Sequence, residues 1–136
     1  MAELGATLAG LLPFLAYFIL GLVIMAIFMW IYTQLTPYDE VALVKANNVA
    51  ASLVWIGALL GFVLPLTSAM RESFSILEFV VWGLIAGIAQ YCVFWGYRFF
   101  YPRIRERIEL GEVAASLKLA GVSVAVGLMN AAAIVE

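Results

Sequence analysis

The sequence contains no histidine, a single cysteine and few charged residues, and each shortage narrows the range of functions. Without histidine, the protein lacks the commonest general base and the commonest transition-metal ligand. The single cysteine, Cys92, cannot form a disulfide within the chain, and its apolar surroundings predict a small buried side chain. The net charge is −2 and the basic residues are concentrated in one short segment, so we predict no nucleic-acid partner.

The usual enzyme motifs are missing as well. The sequence has no glycine-rich phosphate loop, no CxxC pair, no nucleophile elbow and no Ser-His-Asp set. Its long apolar runs contain no Asp or Glu, whereas proton- and sodium-coupled transporters usually place acidic groups in the membrane. We therefore predict that the protein is not an enzyme and has no catalytic, cofactor-binding or metal-binding residues.

Apolar residues are what the chain has in abundance. It is 66% hydrophobic and 12% charged, with a mean hydropathy of +1.09. A soluble domain is about half apolar and about a quarter charged, so the composition indicates a protein whose solvent is the lipid bilayer. A helix needs about 20 apolar residues to cross the hydrocarbon. The runs that meet this length are 10–33, 46–70, 79–97 and 113–135.

We therefore predict an all-α membrane protein with four transmembrane helices. The first ten residues carry no basic residue of the kind that precedes a cleaved signal sequence, so the first run is expected to stay as a membrane helix. Basic residues favour the cytoplasmic side of the membrane, and five of the seven lie in the connections 34–46 and 98–112. These connections are predicted to be cytoplasmic and both termini to lie outside a bacterial inner membrane. Aromatic residues at the ends of the first and third helices suit the headgroup level: Trp30, Tyr32, Trp95, Tyr97, Phe99, Phe100 and Tyr101.

The phrase VAASL occurs twice, at 49–53 and at 113–117. The same offset of 64 residues also pairs Gly57 with Gly121. A proline precedes each copy, at Pro37 and Pro102, shortly after a helix that ends in aromatic residues. We read the chain as one membrane domain, 1–136, made of two repeats of about 8–70 and 76–135. Because each repeat contains two spans, the repeats would be parallel and related by an axis along the membrane normal.

Each repeat has a short connection that is predicted to form an amphipathic helix at the membrane surface. In the first, Thr36 suits the cap, Pro37 the first helical turn and Asp39 the capping-box position. In the second, Ile104 and Ile108 share one face. These helices are either plain connectors or a docking surface for a cytoplasmic protein. The residues that would form such a surface are Asp39, Glu40, Arg103, Arg105 and Arg107.

The run LTPYDEVALVKANNVAASLVWIGALLGFVLPLTSAM, residues 35–70, resembles the YjfL-like bacterial inner-membrane proteins. That family carries a membrane domain of unknown function, usually duplicated, with four spans. The resemblance covers nearly the whole chain, although the second half has PRIRE in place of TPYDE. It implies an inner-membrane location and a duplication, and it implies no reaction, substrate or site residue.

Small residues at helical spacing predict close helix contacts, because in lipid the packing of backbones replaces the hydrophobic drive. They form the candidate packing positions Gly57, Gly61, Gly83, Gly87, Gly121 and Ala125. Pro65 lies inside the second span and cannot donate to the carbonyl of Gly61, so the helix could kink there.

Lys118 is the one charge inside an apolar run, about 7–8 Å from the predicted helix start. Its ammonium could snorkel to the headgroups, or it could face a cavity or pore and favour anions. Amides and hydroxyls in the spans could be interhelical glue or could line a permeation path. Together the candidate pore or interaction residues are Lys118, Gln90, Asn130, Ser52, Ser116 and Asn48.

Two functional hypotheses remain open. A chain of 136 residues has little interior, so we expect a homo-oligomer embedded in lipid, a dimer or larger. The favoured hypothesis is an oligomeric scaffold or partner subunit in an assembly that maintains the cell envelope. The alternative is a small ion channel or transporter whose path lies at the repeat or subunit interface.

Overall fold

The computed structural model describes residues 2–35 and 40–134, with the side chain of Glu40 left out. All regular structure in these two ranges is helical. The helices are α1 (Ala2–Ala9), α2 (Leu11–Leu35), α3 (Glu40–Lys45), α4 (Val49–Glu72), α5 (Ile76–Phe100), α6 (Ile104–Glu109) and α7 (Val113–Ala133). The predicted cap at Thr36, the turn at Pro37 and the acid at Asp39 lie outside the described residues.

The four predicted spans are confirmed. Within the described ranges, four helical stretches are long and apolar enough to cross a membrane: Ala2–Leu35, Val49–Glu72, Ile76–Phe100 and Val113–Ala133. The first is longer than predicted, because helix continues on both sides of a turn at Gly10. Exposed Leu, Ile, Val and Phe side chains cover much of α2, which is the surface expected of a helix in lipid.

Local signals place the helix starts where the spans begin. The Asn48 side chain caps α4 by accepting from the Ala51 N–H at 3.1 Å. Ser75 caps α5 in the same way, accepting from the Glu78 N–H at 3.2 Å. Residues with positive φ end the two short helices, Asn47 (66°) after α3 and Gly111 (78°) after α6.

Helix α4 lies at the centre of the bundle and packs against α2, α5 and α7, most extensively against α7. Ring contacts fill the space between α2, α4 and α5, with the Phe28 ring 3.9 Å from that of Phe62 and 4.6 Å from that of Tyr91. Tyr32 and Tyr97 are buried in the core at 3% and 8% exposure. Cys92 was predicted to be buried, but it lies on the exposed face of α5.

The long helices run in two directions. Contacts between α2 and α5 advance together along both helices, from Tyr17 with Phe79 to Tyr32 with Phe94, so these helices are parallel. Helices α4 and α7 are also parallel. The side chain of Asn48 reaches the Ile108 carbonyl just before α7 begins, and Ser68, near the far end of α4, bonds to the Ala131 carbonyl.

Candidate functional site

Among the glycines of the described residues, the closest approaches to another helix's backbone join α4 to α7. A Cβ added at Gly57 would lie 2.5 Å from the Ala120 Cα, and one added at Gly61 would lie 2.6 Å from the Ser123 carbonyl oxygen. A Cβ on Gly127 would collide with the Gly61 carbonyl. Only glycine therefore fits at positions 57, 61 and 127 without a shift of the neighbouring helix. Small residues allow helices in lipid to pack closely in this way.

Pro65 leaves the carbonyl of Gly61 without its intrahelical donor, as the sequence predicts. Helix α4 nevertheless continues through Pro65, which is fully buried. Gly127 packs directly against the freed Gly61 oxygen, and a weak Cα–H···O contact suits that arrangement. The proline and the glycine therefore act together at the α4–α7 contact.

The other predicted small-residue positions have different surroundings. Gly83 and Gly87 of α5 receive side chains from α2 and α4: Ile24 and Leu66 at Gly83, and Phe28 and Phe62 at Gly87. Gly121 and Ala125 of α7 are exposed, and a Cβ at Gly121 would have nothing within 4 Å. The α7 residues that contact α4 are thus not this pair.

The buried amides bond to backbone carbonyls. The Gln90 Nε2 donates to the Ser123 carbonyl at 3.2 Å. The Asn130 Nδ2 donates to the Ala86 carbonyl at 3.2 Å and approaches the Gln90 Oε1 at 3.4 Å. These bonds tie α5 to α7, an arrangement that matches interhelical glue, and they use donors that a permeation path would leave free.

Two serines of the repeated phrase make matching bonds. The Ser52 hydroxyl donates to the Asn48 carbonyl and the Ser116 hydroxyl donates to the Glu112 carbonyl, both at 3.2 Å. Asn48 and Glu112 are the residues at which α4 and α7 begin. Both hydroxyls therefore bond back to the start of their own helix.

The short helix α6 is fastened to the bundle on one side. Ile104 and Ile108 are buried at 3% and 0% exposure, which confirms the predicted shared face. The Asn48 Nδ2 donates to the Ile108 carbonyl at 3.0 Å. The predicted docking arginines lie on the exposed side of this segment, opposite the buried isoleucines, and each is close to a glutamate. The pairs are Arg103 with Glu106 at 3.7 Å, Arg105 with Glu109 at 2.8 Å, and Arg107 with Glu112 at 3.5 Å.

Asp39 lies outside the described residues and the side chain of Glu40 is not described, so the first predicted docking segment is seen only through its helix, α3.

Lys118 points towards the end of α5 nearest α6. Its ammonium donates to the Tyr101 hydroxyl at 2.8 Å and lies 4.2 Å from the centroid of that ring. Both residues line a groove of about 490 Å³ formed by the end of α5, helix α6 and the start of α7. The ammonium therefore lies beside the end of α5, which is the direction that snorkelling predicts.

The chain matches the family described as a Domain of Unknown Function, DUF350, over residues 6–134. The protein belongs to this family. It is 42% identical over 125 residues to the UPF0719 inner membrane protein YjfL of Escherichia coli K12, a match that covers 92% of this chain and 95% of the relative. The same figures hold for the protein of that name in Escherichia coli O157:H7. No solved structure matches the chain.

Membership confirms the predicted resemblance, and the family has no established activity. The relative's name places that protein in the inner membrane, which agrees with the four apolar helices found here. This DUF350 chain is thus a membrane protein whose helices contact the lipid bilayer.

Sequence reasoning missed three residues that the structure brings to the helix contacts. Gly127 was not predicted because the offset of 64 residues matches the glycines of α4 to Gly121 and Ala125. Ser68, which bonds to the Ala131 carbonyl at 2.7 Å, reads in the sequence as one polar residue near a helix end. The Tyr91 hydroxyl donates to the Phe28 carbonyl at 2.9 Å, and tyrosine in a span gives no signal of its partner.

Proposed function

We propose that the protein is a non-enzymatic membrane scaffold built from internally duplicated chains that assemble into a homo-oligomer. The observation that carries this proposal is an unoccupied copy, on α7, of the surface that α4 uses to contact α7. We define the α4 contact face by three of the α4 residues that contact α7: Gly57, Gly61 and Ser68. The α7 contact face consists of their partners: Ala120, Ser123, Gly127 and Ala131.

Shifting the residue numbers of each contact face by 64 gives the matching positions on the other helix. The α4 contact face becomes the open α7 face, made of Gly121, Ala125 and Ala132, all of which are exposed. The α7 contact face becomes the open α4 face, made of Ile56, Leu59, Val63 and Thr67, none of which is buried. Each half of the chain therefore carries both surfaces of one contact, and only one pair is used within the chain.

A contact between two different surfaces is heterologous, and it forms a closed ring when its rotation allows. The smallest ring that uses both open faces is a dimer, in which the open α7 face of each chain packs on the open α4 face of the other. The open α4 face carries larger side chains than the α7 contact face, so the helices would approach less closely than α4 and α7 do within the chain. Association between chains is accordingly expected to be weaker than the packing within each chain.

Helix directions support the internal duplication on which this proposal rests. Parallel α2 and α5, with parallel α4 and α7, are what two repeats of one two-span unit require. The matching bonds of Ser52 and Ser116 support it at the helix starts. With the connections 34–46 and 98–112 facing the cytoplasm, α6 would present its arginines to a cytoplasmic partner.

The scaffold is favoured over a channel because the polar side chains predicted to line a permeation path already have hydrogen-bond partners. Gln90 and Asn130 are bonded to backbone carbonyls, and Lys118 is bonded to a tyrosine. Purified protein in liposomes should therefore leave ion gradients intact. A selective ion flux that is altered in Lys118→Ala would establish the channel instead.

The oligomer is tested with two leucine substitutions at glycines that have open space around them. A Cβ at Gly121 or at Gly96 would have nothing within 4 Å, so neither Gly121→Leu nor Gly96→Leu should disturb the fold of one chain. Gly121 lies on the open α7 face and Gly96 on α5. Native mass spectrometry of protein released from nanodiscs should show oligomers for the wild type and Gly96→Leu, and monomers for Gly121→Leu. A monomeric wild type, or an unaffected Gly121→Leu oligomer, would contradict the proposal.

A further inference from the structure

The groove beside Lys118 has a cationic wall at the end of the membrane-spanning helices. Three cations line it, Lys118, Arg103 and Arg107, together with two acids, Glu106 and Glu112. Arg103 pairs with Glu106 at 3.7 Å and Arg107 pairs with Glu112 at 3.5 Å. Both arginine side chains are more than half exposed, so these ion pairs are weak. The lining as a whole carries one more positive than negative charge.

Lys118 is the cation whose charge is compensated least within this groove. Its observed acceptor, the Tyr101 hydroxyl, is a neutral phenol. An ammonium has three N–H donors, and the hydroxyl that accepts from it keeps a proton of its own to donate. Lys118 and Tyr101 together therefore offer several donors to a single anion in the groove.

An apolar rim lies next to these donors. Phe100 and Leu110 line the same groove and are 76% and 78% exposed. A ligand that satisfies both parts of the groove has a negatively charged head and an apolar tail. A free inorganic anion would use the donors and leave the rim uncovered.

We propose that this groove is a binding site for the phosphate of an anionic phospholipid. The Lys118 ammonium and the Tyr101 hydroxyl donate to the phosphate oxygens, the surplus positive charge is neutralised, and the acyl chains cover Phe100 and Leu110. The site needs only one chain, so it does not depend on the oligomer proposed above. It also accounts for a lysine at a helix start where the matching position, 54, holds a buried valine.

The test measures lipid binding to delipidated full-length protein by native mass spectrometry, with phosphatidylglycerol and zwitterionic phosphatidylcholine compared at equal concentrations. Phosphatidylglycerol should bind the wild type more tightly, and Lys118→Gln should weaken that binding about fivefold. Lys45→Gln makes the same charge change on α3, where Lys45 is exposed beside Val41 and Val44, and should leave binding unchanged.

Tyr101→Phe keeps the ring and removes the hydroxyl, so it provides a second reading if Lys118→Gln folds poorly. Equal affinity for the two lipids, or equal weakening by Lys45→Gln and Lys118→Gln, would overturn the site. Displacement of the lipid by millimolar inorganic phosphate would overturn the lipid assignment in favour of a free anion. Measured in Gly121→Leu, the lipid preference should persist, which separates this proposal from the oligomer.

Discussion

At the residue scale, the absence of a side chain at two positions sets the distance between α4 and α7. Gly61 and Gly127 face each other, and the Gly61 carbonyl, which Pro65 leaves without a donor, lies against Gly127. In lipid, close backbone contact replaces the hydrophobic drive that brings helices together in water. Glycine at 127 is therefore required by its neighbours and not by its own backbone conformation.

We expect Gly127→Ala to destabilise the protein by about 1–3 kcal/mol, because the added methyl must push α7 away from the Gly61 carbonyl. Gly96→Ala is the matched control, since a Cβ there meets nothing within 4 Å and alanine is the better helix former by about 1 kcal/mol. Reversible unfolding in mixed micelles measures both. Equal stability of the two variants would show that the α4–α7 contact adjusts easily.

At the element scale, the Asn48 side chain makes two bonds, one that caps α4 and one that fastens the connection between α5 and α7. The Asn48 Oδ1 caps α4 by accepting from the Ala51 N–H, and its Nδ2 donates to the Ile108 carbonyl at the end of α6. Two consecutive asparagines before the second apolar run predict a cap at either Asn47 or Asn48. The sequence does not reveal the second bond, because Ile108 is 60 residues away and meets Asn48 only after α4 and α7 have packed.

Asn48→Asp and Asn48→Ala should separate these two tasks. Aspartate retains the capping oxygen and loses the donor, so α4 should remain protected while the α6 amides exchange faster. Alanine loses both, and the start of α4 should weaken by about 1 kcal/mol. Hydrogen exchange of the protein in nanodiscs, followed by mass spectrometry, resolves the two segments. Unchanged exchange of α6 in both variants would show that Ile104 and Ile108 hold it without Asn48.

At the scale of the whole molecule, the distribution of basic residues predicts how the bundle is inserted. Five of the seven Lys and Arg residues lie in the two connections 34–46 and 98–112, and the helix directions place α3 and α6 at the same end of the bundle. The positive-inside rule then predicts that this end lies in the cytoplasm and that both termini lie outside.

We expect a reporter that is active only outside the cytoplasm, fused after residue 136, to be active in cells. A fusion of the same reporter after residue 105, which truncates the protein within α6, should be inactive. Activity of a cytoplasm-only reporter at residue 136 would reverse the predicted orientation.

The sequence by itself determined the four spans and their approximate ends, because length and hydropathy decide what crosses a bilayer whichever neighbours a helix has. It also narrowed the cap of α4 to Asn47 or Asn48 and placed Ile104 and Ile108 on one face of α6, because both features depend on residues close together in the chain. Tertiary structure alone decided which face of each helix is used. Gly121 and Ala125 lie 64 residues after Gly57 and Gly61, yet they are exposed while Gly127 makes the contact. Rotation and register of one helix against another depend on side chains about 60 residues apart, and no local pattern records them. The acceptor for Lys118 is likewise set by where α5 ends relative to the start of α7, which only packing fixes.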